Sequence, residues 1–199
     1  MDISLNELRQ QMRLCTNCSL WETRTQVITG QGTLGAKLML LGEAPGGHED
    51  LVSGQAFTGE AGHQLEEFLQ FINLERNQIY LTNTVKCRPT RPSDRGRYGP
   101  YANRRPKVSE IKACSYWLDQ ELKLLSPQLV ITLGTVPLSR ILGENTSLKE
   151  RHGVPFFSEP YRTWIFPLFH PAAVIYNQKL KPLYWADLNR LRDFLQSQL

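Results

Sequence analysis

Four short apolar runs punctuate the chain: Lys37–Leu41, Ile79–Val85, Leu129–Leu133 and Trp164–Phe169. Each has the length of a strand, and the first three are rich in Leu, Ile and Val. Between them the apolar positions fall at helical spacing. Leu65, Phe68, Leu69 and Ile72 make one stripe, and Ile111, Cys114, Leu118, Leu122 and Leu125 another. A shorter helix is expected from about Pro137, with Leu138, Ile141 and Leu142. A last one is expected from Pro182, with Tyr184, Leu188, Leu191 and Leu195 on one face. At the N-terminal end, Ser4 and Glu7 form the capping box of a helix carrying Leu5, Leu8 and Met12. Strands alternating with helices predict an α/β fold, a parallel sheet with helices on both sides. In such folds a site belongs at the carboxyl ends of the strands. Gly42 to Gly46, Asn83 with Cys87, Gly134-Thr135 and His170-Pro171 all follow strand ends.

Composition adds little to that frame and excludes some classes. The 199 residues are 41% hydrophobic and 21% charged, enough for one domain with a sizeable core. No apolar run is long enough to span a bilayer. The first residues lack a basic stretch followed by an apolar one, so no secretory signal is read there. The protein is therefore expected in the cytoplasm, as a monomer, in a reducing compartment where disulfides are rare. The net charge of +4 permits a polyanionic partner without requiring one.

One segment, about 88–106, departs from the rest. It holds Arg88, Arg91, Arg95, Arg97, Arg104 and Arg105 with Tyr98, Tyr101 and several Pro and Gly residues. It reads as a long loop, either a solvated insertion or a contact to a nucleic-acid backbone. The four cysteines also form a pattern. Cys15 and Cys18 are a C-x-x-C pair, and Cys87 and Cys114 complete four sulfur ligands. Structural zinc and an iron–sulfur cluster are both open, the wide split of the second pair favouring the latter. Cys114 also suits a plain core position on its helix.

The strand-end motifs taken together are specific. Gly42-Glu43-Ala44-Pro45-Gly46, Glu49-Asp50 and Gly54-Gln55-Ala56-Phe57-Thr58-Gly59 resemble the first motif of family 4 uracil-DNA glycosylases. Thr82 to Pro89 resembles their second block, and His170-Pro171-Ala172 their closing motif. The resemblance implies an α/β/α sandwich around a short, mainly parallel four-stranded sheet. It implies removal of uracil from single- or double-stranded DNA, and a 4Fe–4S cluster on Cys15, Cys18, Cys87 and Cys114.

Residue roles follow from that resemblance. Gly42, Glu43, Ala44, Phe57, Asn83 and His170 are expected around the uracil. Phe57 would stack on the flipped base. Asn83 carries both a donor and an acceptor, matching uracil's carbonyl and adjacent imide N–H. His170 would donate to O2 as charge develops there. Ala44 stands where a better-known branch of the superfamily has an aspartate base. Glu49, then Glu43, are the candidates to position water or offset sugar charge. Arg88, Arg91, Arg104 and Arg105, with Lys179 and Lys181 after the closing motif, are candidate DNA contacts. Two alternatives stay open: a relative excising another deaminated base, and a non-catalytic, metal-stapled nucleic-acid-binding module.

Overall fold

The computed structural model describes residues 3–94, 97–144 and 146–198. Arg95, one of the arginines of the biased segment, lies outside the described residues.

The predicted strands form where the apolar runs stand. They are β1 (Leu38–Gly42), β2 (Ile79–Asn83), β5 (Leu129–Leu133) and β7 (Thr163–Leu168). The first three are buried at every position, which is why they read as continuous apolar runs rather than alternating ones. The sheet has five strands, one more than expected, in the order β2-β1-β5-β7-β6. The extra strand β6 (Phe156–Ser158) pairs antiparallel with β7 and forms the edge. Three residues carry no period in sequence, so its pairing partner alone defines it. Pro167 sits within β7 without cost, because β6 pairs only as far as Ile165 and the missing N–H has no strand to serve.

Helices flank both faces. On one side lie α1 (Leu5–Arg13), α3 (Val108–Leu125) and α4 (Thr135–Leu142). There Arg140 of α4 donates to Ser115 Oγ and Asp119 of α3, and α1 packs on α3. On the other lie α2 (Glu60–Phe71), α6 (Pro171–Tyr176) and α7 (Lys181–Gln198). Phe71 of α2 meets Trp185 of α7 edge-on, ring centroids 4.9 Å apart. A short α5 (Leu148–Arg151) precedes β6. The Ser4–Glu7 capping box of α1 is present in both directions. The chain moves from β1 outward to β2, then returns to β5 on the other flank of β1. That reversal opens a crevice at the carboxyl ends of the strands.

The arginine-rich segment differs from the expected irregular loop. It folds into an antiparallel hairpin, β3 (Thr90–Pro92) with β4 (Tyr101–Asn103). Arg88 builds it from inside. Arg88 is 3% exposed, donates from Nε to Asn103 Oδ1 at 2.7 Å and from Nη2 to the Tyr101 carbonyl at 3.1 Å. Its guanidinium is thus taken up by the protein, and the expectation that Arg88 contacts DNA is corrected. Arg104 is taken up in the same way. It donates to the Thr90 carbonyl at 2.8 Å and holds both carboxylate oxygens of Glu110, at 2.5 and 2.8 Å. A guanidinium whose fork is filled by a carboxylate has no geometry left for a phosphate.

A buried ion pair braces the base of the second motif. Lys86 Nζ donates to Glu121 Oε2 at 2.6 Å, to Thr82 Oγ1 at 2.6 Å and to the Asn83 carbonyl at 2.7 Å. Tyr80 and Thr82 donate to the same carboxylate. Every polar atom of the pair that is removed from water is satisfied, the condition for a charged pair to be tolerated at 1% and 0% exposure.

Candidate active site

A cavity of about 270 Å³ opens at the carboxyl ends of β1, β2 and β7. That is close to the lower bound of roughly 300 Å³ for small-molecule pockets. Ala44, Glu49, Phe57, Asn83 and His170 all line it. Gly42 lies directly beneath. A Cβ there would collide with Asn83 Oδ1 and stand 2.6 Å from Phe57 Cζ. Glycine is therefore required at position 42 so that the amide and the ring can converge.

Phe57 is held in an unusual backbone conformation, φ 55°, in the left-handed region. Two neighbours maintain it. The Arg76 guanidinium donates to the Phe57 carbonyl, and Gly62 comes so close to the same carbonyl that a Cβ would overlap it. Strain kept by such contacts fixes a side chain at a working position. Asn83 closes β2 and is 4% exposed. Among the described residues, no hydrogen bond engages its side-chain amide.

His170 caps α6, and its Nδ1 accepts from the Ala172 N–H at 3.1 Å. The proton of the neutral ring then resides on Nε2, which leaves a donor for the cavity. Burial lowers the imidazole pKa to about 4, against a smaller upward pull from Glu49. The ring is neutral at ordinary pH.

Glu49 opens a single π-helical turn, Glu49–Ser53. Its carboxylate accepts from the Gly46 N–H at 3.0 Å and the Gly59 N–H at 3.2 Å, tying the turn after β1 to the start of α2. The next residue, Asp50, is buried and accepts from Thr25 N–H at 2.9 Å. Glu43 is half-buried and outside the lining; burial pushes its carboxyl upward while Arg105 draws it down. Geometry thus separates the two acidic candidates and brings Glu49 to the site.

The lining also holds His48, Glu60, Asn103 and Tyr176, which sequence reasoning passed over, and Arg97 and Tyr98, which it named only as part of the arginine-rich segment. His48 had a signal, being adjacent to Glu49 after the first strand. The composition of the hairpin marked it as a possible nucleic-acid contact but not as part of this cavity, since only folding brings Tyr98 against Gly47. Arg91 and Arg105 are exposed on the hairpin and its return, and Lys179 and Lys181 are exposed beyond α6.

The four cysteines converge separately, around one cavity that Met12, Lys86 and Trp117 also line. None of the four is in a disulfide. Three N–H groups point at sulfur: Arg24 Nη1 to Cys87 and Trp117 Nε1 to Cys15 at 3.2 Å, and Lys86 N to Cys114 at 3.3 Å. Burial pushes the Cys114 thiol up to about 12 and raises Cys18 and Cys87 too. Arg24 draws the Cys87 thiol down and Lys86 the Cys114 thiol, each against the larger effect of burial. Among the described residues, no three His, Cys, Asp or Glu side chains are arranged to hold a single ion.

The family model described as the uracil DNA glycosylase superfamily matches residues 29–191. A type-4 uracil-DNA glycosylase of Sulfurisphaera tokodaii is 34% identical over 198 residues, covering 96% of this chain and 84% of that protein. Another from Saccharolobus solfataricus is 31% identical over 202 residues, covering 98% and 88%. A type-5 uracil-DNA glycosylase of Pyrobaculum aerophilum is 27% identical over 174 residues, covering 79% and 70%.

Proposed function

The chain belongs to the uracil-DNA glycosylase superfamily, among its type-4 members, and from that premise we propose that it excises uracil from DNA by flipping the nucleotide into the Asn83–His170 cavity. The observation that carries the reading is the pairing of two free polar groups in one small cavity. The Asn83 amide and the His170 Nε2–H both serve it, with Phe57 as an aromatic wall.

The chemistry follows from those groups. A stacked base is out of reach, so the nucleotide leaves the helix first. Asn83 accepts the imide N–H of uracil and donates to its neighbouring carbonyl. Cytosine presents the reverse pattern and would leave buried groups unpaired. The bond between the sugar C1′ and N1 breaks, and its electron pair goes to the base. His170 donates from Nε2 to O2, where the charge collects. A fixed donor of this kind contributes roughly 3–4 kcal/mol. A neutral imidazole is well suited, since it gives a hydrogen bond without transferring its proton. Water adds to C1′, its released proton neutralises the departed uracil anion, and an abasic site is left. Glu49, held by two N–H groups beside the cavity, offsets the positive sugar and orients that water; Glu43 is the less favoured candidate.

The four thiols fit a 4Fe–4S cluster: they wall one cavity, and three N–H groups are directed at their sulfurs. Cys15, Cys18, Cys87 and Cys114 would hold it. Bound there, it would be held between the N-terminal segment, the end of the second motif and α3. Hydrolysis moves no electrons, so that role is structural. Arg91, Arg105, Lys179 and Lys181 remain as contacts to the DNA backbone, single- or double-stranded.

Purified protein incubated with a uracil-containing oligonucleotide, then treated with alkali, should yield strand scission at the uracil. Intact strands at enzyme excess would overturn the proposal.

A further inference from the structure

A base drawn into a cavity stays joined to its sugar, so its phosphodiesters arrive at the rim with their charge. Among the described residues lining this cavity, Arg97 is the one arginine or lysine. Two other arginines of the same segment cannot substitute. Arg88 is buried and bonded within the hairpin, and Arg104 is held by Glu110.

Arg97 is also mounted on a built support. Its guanidinium lies over the Tyr98 ring, 5.6 Å from the centroid. Tyr98 rests on Gly47, where a Cβ would come within 2.5 Å of its ring, and meets His48 edge-on at 6.4 Å. Beneath, Arg88 Nη1 donates to the Tyr98 carbonyl at 3.4 Å, and Ser93 N donates to the Pro100 carbonyl at 3.0 Å. A guanidinium carried on such a platform loses less freedom on binding than one on a free tail. Among the described residues its ion-pair partner is Glu60, with Oε2 4.0 Å from Arg97 Nη1 and both side chains mostly exposed, at 65% and 78%. An exposed pair at that distance is weak, and a phosphate displaces the carboxylate readily.

We infer that Arg97, seated on Tyr98, binds a phosphate of the nucleotide whose base enters the cavity. The inference rests on the uracil-excision reading and adds the anchoring group for the backbone. It assigns the hairpin a place in substrate binding through its tip rather than through Arg88 or Arg104.

Steady-state excision on a short single-stranded uracil oligonucleotide, at several salt concentrations, tests it with the full chain. Arg97→Ala should raise KM about tenfold, the loss of one charged hydrogen-bonded contact. It should flatten the dependence of log kcat/KM on log salt by about 0.7. Inhibition by free uracil, which has no phosphate, should not change. Arg97→Lys should recover much of the KM. Glu60→Gln should lower KM when Arg97 is present and do less beside Arg97→Ala. Unchanged KM and salt slope in Arg97→Ala would overturn the inference. Weakened uracil inhibition in the same variant would do so too, because the residue would then be shaping the pocket. So would an equal shift from Arg192→Ala, which removes the same charge beside a cavity at the opposite end of the sheet. Absence of excision by the unsubstituted chain would instead overturn the proposed function itself.

Discussion

The Ala172 N–H donates to His170 Nδ1 at 3.1 Å, and this one bond decides which nitrogen of the catalytic candidate carries its proton. With Nδ1 an acceptor and the ring pKa lowered to about 4 by burial, Nε2–H is the donor over the working pH range. Protonation of Nδ1 would put two donors face to face and break the cap of α6. Excision should therefore show no inflection from His170 near its ordinary pKa of roughly 6.5, and should fall only as pH approaches about 4. A pH profile of kcat checks this. The same shift bears on stability. Between about pH 4 and 6.5 the unfolded chain holds a proton on this ring that the folded chain does not. Stability from His170 thus rises with pH through that window and is lost as pH falls through it, which urea unfolding at several pH values would register.

His170→Ala and Asn83→Ala should each reduce excision roughly tenfold to a thousandfold, in line with loss of one preorganised donor. Single-turnover rates on a uracil oligonucleotide are the measurement. Wild-type rates in both variants would remove the site assignment.

Gly42→Ala tests how closely the site is assembled. Its Cβ would overlap Asn83 Oδ1 and crowd Phe57 Cζ, so the recognition groups must part while the sheet beneath is untouched. Excision should drop by more than about tenfold, since misplacement of about 1 Å can cost a hundredfold. The melting temperature should change much less than the rate.

The Lys86–Glu121 pair should matter for stability. Lys86→Met leaves Glu121 without its ion-pair partner at 0% exposure, a cost of about 3–5 kcal/mol. The double variant Lys86→Met with Glu121→Leu should recover most of that loss. Urea unfolding of the three proteins gives the comparison.

For the thiol cavity, protein purified without oxygen should contain iron and absorb visible light. Cys87→Ser or Cys114→Ser should lose colour and melt at lower temperature. Colourless protein with stoichiometric zinc would refute the cluster.

Much of the molecule was legible in the order of its residues. The short, almost wholly apolar runs Leu38–Leu41 and Leu129–Leu133 read as strands buried on both faces, and the Ser4–Glu7 box as the opening of a helix. Because parallel strands put their ends on one side, the motifs following them had to meet, and Phe57, Asn83, His170 and Glu49 do line one cavity. Local chemistry of this kind is written in sequence because it depends on periodicity and on neighbours a few positions away. Three decisions depended on contacts far apart in the chain. β6 exists because β7 offers it a free edge. Arg88 turned from a presumed DNA contact into the internal brace of a hairpin, because Asn103 and the Tyr101 carbonyl close around it. The His170 proton was fixed by burial and by the Ala172 N–H, neither of which has any trace in composition. Residue types thus determined what chemistry was possible, and folding, by choosing which groups lost water and which found partners, decided what each residue was free to do.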